Sequence, residues 1–121
     1  MRASRDEMTV LLEAGEASVR ASDWGGMRVV ILKIPAGTDL KPLFEGLPNS
    51  ACPCPHWGYV LKGRLRVDYG DRSEVIQAGD AYYLPAGHIG FAEEDFEFVE
   101  VSPLEEHRQA METVLRNAGV S

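Results

Sequence analysis

Positive charge is scarce in this chain. Its 121 residues carry 12 Lys and Arg against 19 Asp and Glu, for a formal net charge of −7. Nucleic acids and anionic membrane surfaces are bound by basic patches that neutralise phosphates, so no nucleic-acid or membrane partner is expected. The acidity alone does not call for a cationic ligand, because a negative surface also serves solubility. Long apolar runs are missing too. No stretch approaches the roughly 20 residues of a membrane-spanning helix. The segment Met1 to Glu7 is polar and lacks the apolar centre of a secretory signal. A cytoplasmic location is the expectation. Cysteine is limited to Cys52 and Cys54, which excludes a disulfide framework. In an extended chain, positions i and i+2 lie ~6.6 Å apart, at the edge of the disulfide range. Free thiols or metal ligands are therefore expected. There is no phosphate-binding glycine loop and no zinc-finger spacing.

What remains is enough for one core. The 45% hydrophobic content suits a single globular domain over residues 1–121. Residues 1–8 read as loosely ordered, Val10 to Leu12 as a short strand, and 14–22 as ambiguous within an N-terminal segment 1–22. Asp23-Trp24-Gly25-Gly26 signals a turn. Met27 to Ile34 is β-branched and nearly continuously apolar, the pattern of a buried strand. Further short strands follow at 64–69, 73–77, 81–84, 88–92 and 96–101, separated by turn residues, so the body spans 27–101. In the last strand Phe96 and Phe98 are expected inward, joined by Val99 or Val101. Short strands with frequent turns point to a sandwich or barrel. Ser102-Pro103-Leu104-Glu105 has the form of a capping box, and Leu104, His107, Met111, Val114, Leu115 and Ala118 follow helical steps. A helix over 103–118 is expected on the outside of the body or on a second subunit. His107 is expected at its surface or edge.

Two stretches carry the chemistry. In Ala51-Cys-Pro-Cys-Pro-His-Trp-Gly-Tyr-Val-Leu-Lys-Gly63, the groups Cys52, Cys54 and His56 sit at steps of two. A strand would send all three to one face. In Gly79-Asp-Ala-Tyr-Tyr-Leu-Pro-Ala-Gly-His88, a strand breaks at Pro85-Ala86-Gly87 and delivers a second histidine. Thiolate and imidazole together suit zinc or iron. The alternative is that the cysteines fill space in a core. An inward His56 needs a partner for each ring nitrogen, which a metal, a ligand or water can supply. His88 can be a ligand, an acid or base, or a turn residue bonded to backbone. Trp57, Tyr59, Tyr82 and Tyr83 can line a pocket or belong to core and interface.

At these stretches the chain resembles the cupin superfamily, small antiparallel β-barrels of jelly-roll type. The Tyr59-Val60-Leu61-Lys62-Gly63 end fits the family's first motif, and Gly79, Pro85 and Gly87 fit the second. The resemblance implies an all-β jelly-roll barrel of the RmlC-like kind with a C-terminal helix. The family's four metal-ligand positions fall on Ser50, Cys52, His56 and Gly90, so none keeps its usual residue type, and Gly90 has no side chain to offer. Cys54 and His88 stand nearby as added candidates. The chain is also similar to a subgroup of small cupins with a Cys-x-x-Pro-His-x-Gly-Tyr-Val run and a Pro-x-Gly-His turn.

The expectation is a small-molecule-binding barrel whose pocket holds His56, His88, Cys52, Cys54, Tyr59 and Tyr82, with no catalytic residue assignable. The alternative is a metal-dependent enzyme of oxygenase or isomerase type, with Cys52, His56 and His88 around one divalent zinc or iron ion. The long loop from Gly37 to Ser50 leads into Cys52 and carries Leu40, Leu43, Phe44 and Leu47, which suits a lid. Small cupins are commonly dimers, and Val10 to Leu12 with the amphipathic helix offers surface for a homodimer.

Overall fold

A computed structural model describes residues 1–119. Among the described residues there are nine strands, β1 Thr9–Ala14, β2 Ala17–Trp24, β3 Met27–Ile34, β4 His56–Lys62, β5 Arg64–Asp68, β6 Ser73–Gln77, β7 Ala81–Leu84, β8 Ile89–Ala92 and β9 Phe96–Pro103, followed by helix α1, Leu104–Asn117. The strands form a six-stranded sheet, ordered β1-β2-β3-β9-β4-β7, and a three-stranded sheet, ordered β6-β5-β8. All pairings are antiparallel. The sheets face each other across a core in which Ile34, Val60, Leu84, Phe96 and Phe98 of the first meet Leu65, Val67, Ile76 and Ala92 of the second.

The expected antiparallel β fold with a C-terminal helix is present. The hydrogen bonding among the described residues nevertheless divides into two sheets rather than one closed barrel ladder. The chain passes between them at Gly63, where β4 ends and β5 begins, a sharp corner between packed sheets. Gly63 has φ +83, and a Cβ there would stand 2.0 Å from the carbonyl oxygen of Asp95. Only glycine permits that backbone and that approach.

Four expectations need correction. The sheet extends well before residue 27, because β1 and β2 are its edge and next strand. Residues 5–7 form a 3₁₀ turn, held by Glu7, which accepts from the Ser4 amide and hydroxyl, and Met8 behind it is buried. Ser102 does not cap α1. It is the paired partner of Arg28 in β9, the strand runs on through Pro103, and Pro103 is the N-cap. Finally, α1 does not lie on the outside. Its His107, Ala110, Met111 and Val114 form one wall of the internal cavity described below. The helix keeps the expected charge order, with Glu105 and Glu106 in its first turn and Arg116 in its last, each favourable to the helix dipole.

The loop 37–50 folds as two 3₁₀ turns, Lys41–Phe44 and Pro48–Ser50. Asn117 at the end of α1 donates to the carbonyls of Leu43 and Glu45, both at 2.8 Å, fastening loop to helix. Leu40, Leu43 and Phe44 line the cavity as a lid would; Leu47 does not.

Candidate functional site

The cavity, of about 160 Å³, lies between the sheets under α1 and the 37–50 loop. Most of its wall is apolar. One end is polar, and two cross-strand rows of the six-stranded sheet build it. Antiparallel pairing sets Ser102 on β9 level with Arg28 on β3 and Arg28 level with Asp23 on β2, and the His56 ring at the start of β4 meets the Ser102 hydroxyl. The next inward row joins Tyr82 on β7, Gly58 on β4 and Glu100 on β9. Gly58 is needed there. A Cβ on it would come within 2.5 Å of the Tyr82 ring and of the Val99 carbonyl oxygen. Its absence lets Tyr82 cross the strand and donate to Glu100 Oε1 at 2.9 Å.

His56 and His88 are both buried, with ring centroids 4.8 Å apart. His88 Nδ1 lies 2.8 Å from the Pro85 carbonyl. A carbonyl only accepts, so Nδ1 carries the proton and Nε2 presents a lone pair. His56 Nδ1 meets Ser102 Oγ at 2.6 Å, and its Nε2 faces Cys52 Sγ at 3.5 Å. Cys52 is tied to the same corner by backbone: its amide donates to the His88 carbonyl and its carbonyl accepts from Gly87. One ligand atom from each of Cys52, His56 and His88 lies within 4.8 Å of the others.

Burial sets the protonation of these groups. It pushes His56 down to about 4. His88 also falls to about 4, by burial first and then by the neighbouring His56. Both rings are neutral at pH 7, so the 3.6 Å approach of His56 Nδ1 to Glu100 Oε2 is no ion pair. Burial lifts the Cys52 thiol to about 12 and Glu100 to about 7, because a charge there would lose its water. Tyr82 is raised by burial and by Glu100.

The structure brings together Cys52, His56, His88 and Tyr82, as the sequence suggests, and separates two other candidates. Cys54 is fully buried but away from the cavity, packed with Cys52, Ala110 and Phe44, its thiol against the Pro55 carbonyl. The strand that would have aligned it with Cys52 does not exist, since β4 begins only at His56. Pro53 and Pro55 lack the N–H groups that a ladder uses. Tyr59 is 49% exposed and points outward with Trp57, which stacks on Tyr83 at 5.2 Å. Ser50, at a family ligand position, is not part of the wall, and Gly90 reaches it only as backbone beside Leu40 and Leu65.

Four residues of the polar end were not foreseen. Glu100 and Ser102 share the parity of Phe96 and Phe98, and the burial of β9 alternates through Ser102. Val99 and Val101 face the other way, contrary to expectation. Extending the period of two would have found both polar residues. His107 is buried rather than at the surface, 6.0 Å from His56, with Nδ1 3.3 Å from Arg28 Nη1. Arg28 in turn is fixed by Asp23.

The Cupin domain family model matches residues 53–90, the stretch that contains His56, Gly63, Gly79 and His88. A sequence search of curated proteins finds no match. Among solved structures, the polyketide cyclase RemF from Streptomyces resistomycificus is similar at a TM-score of 0.62 and 19% identity, over 85% of this chain and 78% of that one. An RmlC-like cupin from Shewanella frigidimarina is similar at 0.59 and 15%, over 84% and 88%. A protein of unknown function from Rhizobium leguminosarum bv. viciae reaches 0.62 and 17%, over 84% and 94%. At such identities the likeness is one of fold. The family model matches the central motif, residues 53–90, and the fold is shared with solved cupins along most of the chain, so the chain is similar to small cupin domains and has their fold.

Proposed function

We propose that the protein binds a small, largely apolar molecule in the cavity, with a polar group of that molecule set against His56, His88, Cys52 and Tyr82, and that the two facing sheets act as a jelly-roll barrel around it. The observation that carries this is an internal cavity whose wall is mostly apolar, with a cluster of buried polar groups at the His56 end and only Ser18, Lys33 and Thr38 as further polar lining, the usual composition of a ligand site. Its test is titration of the protein with ethylbenzene, followed by NMR of methyl groups. Shifts confined to Leu40, Leu43 and Leu65 support the reading. Shifts confined to outer-face residues such as Leu61 and Val75, or none at all, refute it.

A second reading rests on a separate observation. Both histidines have Nδ1 engaged by the protein while Nε2 is free or faces Cys52. Ring nitrogens tied in this way are how proteins orient histidines toward a metal. Cys52, His56 and His88 therefore fit one divalent zinc or iron ion, even though the family's usual ligand types are gone. Three protein ligands are the number that catalytic zinc sites use. The thiol, protonated without metal, would lose its proton on coordination. When bound, the ion supplies Lewis acidity or, for iron, redox chemistry, and oxygenase or isomerase chemistry is the class to test. Elemental analysis of protein purified without a metal-affinity tag decides. About one zinc or iron per chain, lost in both Cys52→Ser and His56→Ala, supports the metal reading. Wild-type protein that takes up neither ion removes it and leaves the cavity reading standing.

A further inference from the structure

His107 enters the polar end from α1, the side that the strands do not supply. Its protonation pattern follows from its partner. Arg28 Nη1 lies 3.3 Å from His107 Nδ1. A guanidinium only donates, so Nδ1 accepts and the neutral ring carries its hydrogen on Nε2. Arg28 is not free to turn away. Its Nε and Nη2 donate to the two carboxylate oxygens of Asp23 at 2.8 and 3.2 Å. Asp23 is its directly paired neighbour on β2, and a forked contact of this kind fixes the guanidinium plane. Arg28 is 8% exposed and His107 6%. Asp23, Arg28 and His107 thus form a relay that runs from an exposed carboxylate through a buried guanidinium to a buried N–H. Among the described residues, His107 Nε2 has no hydrogen-bond partner, yet it is not a sealed-off polar atom. The His56 ring is 6.0 Å away. One ligand atom from each of Cys52, His56 and His88 lies within 4.8 Å of the others, His88 Nδ1 is bound to the Pro85 carbonyl, and the Tyr82 hydroxyl donates to Glu100, so His107 supplies the N–H without a protein partner at this end of the cavity.

We propose that His107 is a ligand-binding residue, held as a fixed hydrogen-bond donor by Arg28 and Asp23, and that the molecule bound in the cavity carries an uncharged carbonyl oxygen at this end. A donor with no acceptor calls for one from the ligand, since an unpaired polar group in a closed site costs free energy. A ligand without such an oxygen leaves that N–H unpaired. An anionic oxygen is disfavoured by the Glu100 carboxyl in the same wall, while Lys33, the cationic lining residue, is already paired with Glu97 at 3.1 Å. The inference rests on the cavity reading and adds the chemical class of its ligand. Arg28 and Asp23 are positioning residues in it.

The experiment uses the full chain and two probes of matched shape, acetophenone and α-methylstyrene, which differ by C=O for C=CH2. Affinities are measured by NMR titration for wild type, His107→Phe, His107→Gln and Arg28→Met. The acetophenone-to-styrene affinity ratio should fall about fivefold in His107→Phe, the worth of one ordinary hydrogen bond. It should recover in His107→Gln, whose amide restores a donor. In Arg28→Met the ratio should fall in part, while the ¹⁵N spectrum of His107 changes from the Nε2–H tautomer to a mixture. An unchanged ratio in His107→Phe, or an Nδ1–H tautomer in wild type, overturns the inference while binding of either probe keeps the cavity reading. Failure of both probes to bind wild type overturns both. Should His107→Phe not fold, the wild-type tautomer and the Arg28→Met ratio still decide.

Discussion

Acid should unfold the metal-free protein steeply, and the slope can be worked from four buried groups. His56, His88 and His107 are each held at about 4, against 6.5 for an exposed imidazole, with burial the leading cause. Their folded values are depressed, so their contribution is fully present above pH 6.5 and is lost as pH falls toward and through 4. Glu100 runs the other way. Its folded value is raised from 4.5 to about 7 by burial, so its contribution is present below 4.5 and is lost as pH rises through 7. Near pH 5.5 unfolding takes up about three protons on the histidines and releases about one from Glu100. The net uptake of about two protons corresponds to about 3 kcal/mol of stability lost per pH unit of acidification. Over two units that is comparable with the whole stability of a small domain, about 5–15 kcal/mol. The assay is urea denaturation of chelator-treated protein at half-unit steps from pH 7 to 4.5, with His107→Phe in parallel. The variant should show about half the wild-type slope, because the net uptake drops from about two protons to about one. Stability that is flat or rises on acidification across this window would refute the picture of three neutral buried imidazoles.

Other consequences follow from single contacts. Gly63→Ala should destabilise by more than the ~1–3 kcal/mol of a strained backbone alone, because its Cβ would meet the Asp95 carbonyl at 2.0 Å; a thermal midpoint within about 2 °C of wild type would count against the corner. Gly58→Ala should push Tyr82 off Glu100 and shift the Tyr82 ring resonances, whereas an unchanged Tyr82 spectrum would show that the crossing is not tight. Trp57, Tyr59 and Tyr83 are about half exposed on one outer face beside Val99 and Val101, so the chain is expected to dimerise through that face rather than through α1. Light scattering should give a dimer that Trp57→Lys dissociates, and a monomeric wild type at micromolar concentration would dispose of the idea.

The sequence by itself determined the strands from residue 27 onward, because their cues are local, whereas β2 at 17–24 was not legible from it. Alternation in 64–68, β-branching in 27–34, and glycine or proline at the turns each act over a few residues. It also singled out His56 and His88 as pocket candidates, but their approach to 4.8 Å between rings is a property of the tertiary structure. Cys52 and Cys54 show where local cues stop. Their spacing fits one face of a strand, but Pro53 between them and Pro55 after them deny the ladder, and the chain there is shaped instead by its bonds to Gly87 and His88. Glu100 and Ser102 were within reach of the pattern, had the period of Phe96 and Phe98 been carried two steps further. His107 was not. Its burial depends on α1 folding back over the sheets, and its partner Arg28 is 79 residues away in sequence. No local rule fixes where a helix docks, because that is settled by the shape and polarity of the surface it covers. For the same reason, only the tertiary structure could decide that the polar end of the cavity is assembled from strands of one sheet, two loops and a helix.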